Sequence, residues 1–372
     1  IIFRNRSRNR SQNSQPFPII TFILATFVKT CHSMNKTMKY TTIIDIAKQL
    51  GISKSTVSRA LRNDDQNVNI ETKKKILALA EEMGYTRNEM AVNLRHKSTK
   101  TIGIVVPEMI TPFYMKFITC AQQILNRQGY RVALAQSHES TEAELANLKM
   151  FEDYRVEGIL ISVCHTSKNL DVYRRLIQKG IPMVFFDRTI TELSASKVKI
   201  DDYIKAFFLV EHLIRNGRSK IVHLAGPSYI QNAIERKNGY KDALKKFKIP
   251  YNPEYVIEAG VDFNGGEEAI KQLLEKDITF DAIFCFTEMS ALGAKSYLQK
   301  HNYIIPGQVS IACDSGTDLC VLVHPTITAV EQPVQKMAEE ASRLIIEKIQ
   351  HPQKEDETIV LDAETFFRES TE

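Results

Sequence analysis

Apolar residues along this 372-residue chain follow two kinds of pattern. Near one end they recur at three-and-four spacing, the period of a helix face. Ile43, Ile46, Ala47 and Leu50 share such a face, in a segment that Thr42 is placed to cap and whose positive N-terminal end suits Asp45. Gly51 supplies a tight corner, and Ser53 caps a second helix running through Leu61. On that helix Val57, Ala60 and Leu61 point inward, leaving Lys54, Ser55, Thr56, Ser58 and Arg59 outside. A third helix, 70–83, turns Ile76, Leu77, Leu79, Ala80 and Met83 inward and stops at Gly84. Three short helices about so tight a corner predict a helix-turn-helix bundle, with a recognition helix that presents small polar and basic groups.

From residue 101 the pattern changes. Apolar runs "IGIVV" (102–106), "RVALAQ" (131–136), "GILIS" (158–162) and "PMVFF" (182–186) alternate with helix-length segments. A second series follows in "KIVHLAG" (220–226), "YVIEAG" (255–260), "AIFCF" (282–286) and "VSIAC" (309–313). Near-continuous apolar strands with helices between them predict parallel sheets covered on both faces, here in two similar lobes. Ligands in such sheets sit beyond the carboxyl ends of the strands. At those ends lie Phe113 and Tyr114 of "TPFY", Asp187 and Arg188, Thr287 and Glu288, and Asp314. Arg236 stands near a helix start, three residues before Gly239. Carboxylates, an arginine and an aromatic face that converge between lobes suit a small polar ligand.

Charge sharpens this division. Residues 38–100 hold twelve Lys/Arg against seven Asp/Glu, whereas 101–372 hold 31 against 37. A basic head on an acidic body points to a polyanion held by one end of the molecule. Arg59 has the reach to grip guanine edges in a bidentate manner, and Ser or Thr bonds a phosphate without blocking approach. Between head and body, 88–95 has room for one or two helical turns, too few to be stable alone in water. Leu94, an apolar side chain in this polar joint, is of the kind that wedges into a minor groove.

The first 37 residues carry six basic groups and no acid, and within them 16–28 form an apolar run too short to span a membrane. They are expected to be a non-native upstream extension, with the native start at Met38 or Met34. An export signal is the alternative, and no other segment reads as membrane-spanning. Six scattered cysteines, with no C-x-x-C pair or Cys/His metal spacing, read as reduced thiols of a cytosolic protein; a Cys313–Cys320 disulfide stays open.

The motifs "TIIDIAKQLGISKSTVSRAL", "EEMGYTRNEMAVNLR" and "TKTIGIVVP", with weaker similarity through to "FFRES", resemble the LacI/GalR family of transcriptional regulators. The resemblance covers nearly all of 38–372. It implies a helix-turn-helix head (38–87), a hinge helix and linker (88–100), and a two-lobed body like a periplasmic sugar-binding protein (101–372) that binds effector and dimerises. It assigns base reading to Lys54, Ser55 and Arg59, phosphate contacts to Thr42, Ser53, Thr56, Ser58, Asn63 and Thr72, and minor-groove insertion to Leu94. Phe113, Tyr114, Asp187, Arg236, Thr287 and Asp314 fall at effector-binding positions. Three departures stand out. Val92 replaces the usual hinge Arg, Thr287-Glu288 replaces Asn-Asp, and Ala312-Cys313-Asp314 replaces Gly-Phe-Asp. The resemblance therefore implies a cytoplasmic, nucleoid-associated homodimer that binds an operator in double-stranded DNA, most simply as a repressor, under control of a sugar or sugar derivative. Neither cofactor, metal nor membrane enters that reading.

The chain has no G-x-G-x-x-G after a strand, P-loop, H-E-x-x-H or G-x-S-x-G elbow. Asp201 and Asp202, adjacent in sequence, point apart rather than converge as an acid/base couple. Two other readings remain at this point: a ligand sensor acting through a protein partner, and an α/β enzyme on a small polar ligand.

Overall fold

The computed structural model describes residues 40–62, 68–86, 98–166 and 168–372. It divides into two compact units, 1–92 and 93–372. Asn63, Leu94 and the rest of 87–97, and the first 37 residues lie outside the described residues.

In the first unit α1 (Ile43–Leu50), α2 (Lys54–Ala60) and α3 (Ile70–Glu82) pack around Ile46, Val57, Ala60 and Ile76, all fully buried. Thr42 and Asp45 form a reciprocal cap on α1, in which the Asp45 carboxylate accepts the Thr42 N–H at 2.9 Å. Gly51 ends α1 in the left-handed region (φ +63°), a conformation costly for any residue with a Cβ. The Ser53 hydroxyl then accepts the Thr56 N–H at 3.1 Å and starts α2. One expectation fails here: Leu77 is 41% exposed. Ile76, Leu79 and Ala80 already define the inner face, and Leu77 lies one helical step round from it.

The second unit holds two lobes. In the first, β1 (Thr101–Val106), β2 (Arg131–Gln136), β3 (Gly158–Ile161), β4 (Met183–Phe186) and β5 (Ser196–Ile200) alternate with α4 (Pro112–Arg127), α5 (Thr141–Asp153) and α6 (Leu170–Gln178). The second comprises α7 (Asp202–Arg215), β6 (Ile221–Ala225), α8 (Gln231–Lys246), β7 (Val256–Glu258), α9 (Phe263–Glu275), β8 (Ala282–Cys285), α10 (Glu288–Lys300), β9 (Ser310–Gly316) and β10 (Thr328–Glu331). The chain then returns through α11 (Val334–Gln350), which packs on the first lobe, to β11 (Thr358–Leu361) and finally β12 (Glu364–Phe366). The two six-stranded sheets run β11-β5-β4-β3-β1-β2 and β12-β10-β9-β8-β6-β7, parallel except for the β10–β12 pair.

The chain therefore passes between lobes three times: after β5 at Asp201, after β10 at Gln332, and after β11 at Asp362. Four strands were not expected from sequence: β5, β10, β11 and β12. Lysines alternate with apolar residues in β5, and the other three have only three or four residues each; their pairing comes from residues far apart in the chain. β7 is shorter than its expected 255–260. The described cysteines, Cys313 and Cys320 included, carry free thiols.

In the second-lobe core His223 is fully buried and stacks on Phe284, with ring centroids 4.6 Å apart. Burial pushes its pKa down to about 4 from an ordinary 6.5. Between those values the unfolded chain binds a proton that the folded chain does not, so this contribution is full above pH 6.5 and lost toward pH 4. A His223→Phe protein, with a ring still stacked, is expected to gain thermal stability relative to the natural protein across that window. A difference in melting temperature that stays constant with pH would rule His223 out as the titrating group.

Candidate DNA-reading helix and ligand cleft

Helix α2 is anchored from below by buried Val57 and Ala60. Its outer surface carries Lys54, Ser55 and Arg59, all exposed, and no acidic residue. The side chains of Lys54 and Arg59 make no hydrogen bond or ion pair among the described residues, so both cations are available to a polyanion. Ser53 is less free, because its hydroxyl caps α2 and contacts Ser55 Oγ at 2.7 Å and Thr56 Oγ1 at 2.8 Å. Ser58 Oγ accepts from Arg62 at 3.2 Å. Thr42 belongs to the α1 cap, and Thr72 lies half-buried in α3. The residues expected to read bases and those expected to hold phosphate thus differ in freedom: the first project outward, while several of the second also cap helices.

In the body a cleft of about 340 Å³, part of it open to solvent, lies where the two lobes meet. Phe113 and Tyr114 reach it from the first turn of α4, and Asp187 and Arg188 from the end of β4. Arg236 arrives from α8, and Thr287 from the N-cap of α10. The structure thus brings five of the six expected ligand groups to one cleft, three from the first lobe and two from the second. The sixth, Asp314, is wholly buried behind Arg236, with Oδ2 3.2 Å from Arg236 Nε.

Gly239 explains how Arg236 reaches that position. A Cβ at Gly239 would come within 2.4 Å of the Tyr203 carbonyl, so only glycine lets α8 press against α7. The approach places Arg236 against Asp202, to which Nε donates at 2.8 Å, while Nη1 donates to the Phe286 carbonyl at 2.7 Å. One buried guanidinium therefore faces two buried carboxylates. Burial pushes Asp202 up to about 6 and Asp314 up to about 8, against the opposing pull of Arg236. Asp201 is the exposed cap of α7, so the two neighbouring aspartates do point apart. Asp202, buried behind Arg236, was not expected as its partner because adjacency alone does not say which carboxylate turns inward.

Other partners are local. Tyr114 donates its hydroxyl to Asp187 Oδ2 at 2.7 Å, and burial raises its pKa well above the usual tyrosine value. Arg188 donates to Glu139 at 2.8 Å. Thr287 donates to the Val261 carbonyl and caps α10, so its hydroxyl is largely used by the fold. Glu288 turns away from the cleft to accept from the Thr317 N–H at 2.7 Å and from its hydroxyl. Glu108, Asn232 and Gln332 line the cleft without having been expected. Gln332 sits at the second inter-lobe crossing, a position with no local sequence signal.

Residues 42–88 match the family described as bacterial regulatory proteins, lacI family, and residues 99–371 match periplasmic binding proteins and sugar binding domain of LacI family. The chain belongs to the LacI family. The ribose operon repressor of Haemophilus influenzae is 28% identical, over 88% of this chain and 98% of its own length. A solved complex of the transcriptional regulator CelR with cellobiose shares 25% identity with a TM-score of 0.66, over 89% of this chain and 99% of that one. The lac repressor dimer bound to operator shares the fold at 20% identity, with a TM-score of 0.76 over 90% of this chain and 99% of that one. As a LacI-family member this chain is a DNA-binding transcriptional regulator with an effector-binding body, and the family consists of such regulators rather than enzymes. Among the described residues no helix is long and apolar enough to cross a membrane, and no group of His, Cys, Asp or Glu is arranged to hold a metal.

Proposed function

We propose that this LacI-family chain is a homodimeric repressor of the cytoplasm and nucleoid, in which one sugar-class effector per body controls operator affinity. The observation that carries the reading is the cleft itself, a polar site set where three chain crossings join the lobes. A ligand that grips both walls changes the angle between lobes, and those crossings are the points about which the angle changes. CelR, solved with cellobiose, and the ribose operon repressor supply the class of ligand by likeness.

On the DNA side Lys54, Ser55 and Arg59 read bases, and Thr42, Ser53, Thr56, Ser58, Asn63 and Thr72 hold phosphates. The head spans 38–87 and the joint 88–100, with effector binding and dimerisation in 101–372. Met115 on α4 and Leu134 on the neighbouring β2, 49% and 42% exposed, offer apolar surface to a second copy. Two heads then read half-sites about one helical turn apart. Ligand closure alters the spacing of the two joints in the dimer, and the coupling to DNA cannot exceed the ligand's differential affinity for the two states.

Operator affinity measured with and without a panel of monosaccharides tests this reading. A class-specific change of fivefold or more (about 1 kcal/mol) supports it, and operator binding indifferent to every ligand that binds the body refutes it. Within the joint, Leu94→Ala is expected to reduce operator bending while body–ligand affinity stays unchanged. Unaltered bending, read by circular-permutation mobility, would remove Leu94 from the minor groove.

A further inference from the structure

We propose that the effector carries a protonated amine, as in an amino sugar, and that the cleft rejects sugar phosphates and uronic acids. The inference deepens, and rests on, the reading of this cleft as the effector site. It starts from a charge inventory. Glu108, Glu139, Asp187 and Asp202 lie in or directly behind the walls, against only Arg188 and Arg236, a formal excess of two carboxylates, while Asp314 behind Arg236 holds its proton up to about pH 8. No lysine or histidine lines the cleft. Lys199 and Lys205, outside the lining, are already paired, Lys199 with Glu235 at 3.2 Å and Lys205 with Asp362 at 2.6 Å.

The hydrogen-bond inventory has the same sign. Both oxygens of Asp314, Oδ1 of Asn232, Oε1 of Gln332 and Oε1 of Glu139 are buried with no donor. All are acceptors. The two amides can turn end for end and Asp314 holds a proton it can donate, whereas the Glu139 carboxylate has nothing else to offer. Asp187 gives Oδ2 to Tyr114 and keeps Oδ1 without a donor at the cleft wall. Acceptors left without donors at a cleft wall are costly, so a ligand that brings N–H donors and positive charge binds with the electrostatics of the site.

Helix N-termini would ordinarily favour an anion here. The loop leading into α4 is already served by Glu108, which accepts the Thr111 N–H at 2.9 Å. α10 is closed by the reciprocal Thr287–Ser290 cap. α8 and α4 begin without a side-chain cap on their first turns, which leaves neutral donors for ligand hydroxyls. The ring of such a ligand has Phe113 to lie against, and its ammonium group has Asp187 Oδ1.

The test is titration calorimetry on the full chain at a pH where the amine is protonated. The probes are glucosamine, galactosamine and mannosamine, each with its parent hexose, its 6-phosphate and the matching uronic acid. At least one hexosamine is expected to bind tenfold or more tightly than its parent, the anions not measurably, and Asp187→Asn to bring the ratio close to one. Circular dichroism of that variant confirms its fold, and the natural-protein panel decides the question without it. A parent hexose that equals or beats its amine, or any phosphate or uronate that binds, overturns the amine while leaving the cleft as the effector site. If no probe of any class binds, both the inference and the cleft reading fall.

Discussion

An Arg59→Ala protein is expected to bind its operator about five- to 150-fold more weakly, a loss of about 1–3 kcal/mol, and to accept several bases where the natural protein demands one. The size follows from where Arg59 sits. It projects from the last turn of α2 with no partner among the described residues, while Val57 and Ala60 hold that helix down independently. Truncation therefore removes the contact and leaves the scaffold, since alanine is the best helix former. Non-specific DNA binding should fall only by one phosphate-range charge, so the logarithmic salt slope on random DNA should shrink by about one unit or less. Fluorescence anisotropy on a site selected from random DNA, beside a scrambled duplex, separates the two effects. Equal losses on both would mean that Arg59 holds backbone and does not read sequence.

How far the sequence carried this can be argued residue by residue. The head was legible almost throughout because its information is local: the Thr42 cap, the Gly51 corner and the Ser53 cap each act within a few residues, and the structure reproduces each. Leu77 is the exception, apolar yet outside, because a helix face is narrower than a list of its apolar residues. In the body the central strands were legible as apolar runs. β5, β10, β11 and β12 were not, since their stability comes from pairing with strands distant in sequence. The cleft divided the same way. Phe113, Tyr114, Asp187, Arg236 and Thr287 could be placed from the rule that ligands lie beyond strand ends. Asp202 and Gln332 could not, because they stand where the chain crosses between lobes, and a crossing exists only once both sheets are assembled.

Asp314→Asn is expected to raise the melting temperature of the ligand-free protein by several degrees at pH near 8, and to add little near pH 4. The sign comes from the direction of the shift. Burial holds Asp314 near 8, far above an ordinary 3.8, so between those values the folded chain keeps a proton that the unfolded chain has released. Its contribution is favourable below the lower value and is lost as pH rises through the upper one, at about 1.4 kcal/mol per unit of separation in the limit. Asparagine cannot titrate, fits the same space and leaves Arg236 its bonds to Asp202 and the Phe286 carbonyl. A gain on the order of 2–4 kcal/mol at the alkaline end follows, discounted for relaxation of the cluster. A residue that weakens the fold at working pH is characteristic of a binding site, where stability and function trade against each other. The same substitution should therefore weaken control of DNA by effector while operator affinity without effector stays as it was. Thermal melts across the pH range and operator titrations with and without ligand read the two halves separately. A variant less stable by the same margin at every pH would show instead that Arg236 keeps Asp314 ionised, and the cluster would then be a structural ion pair.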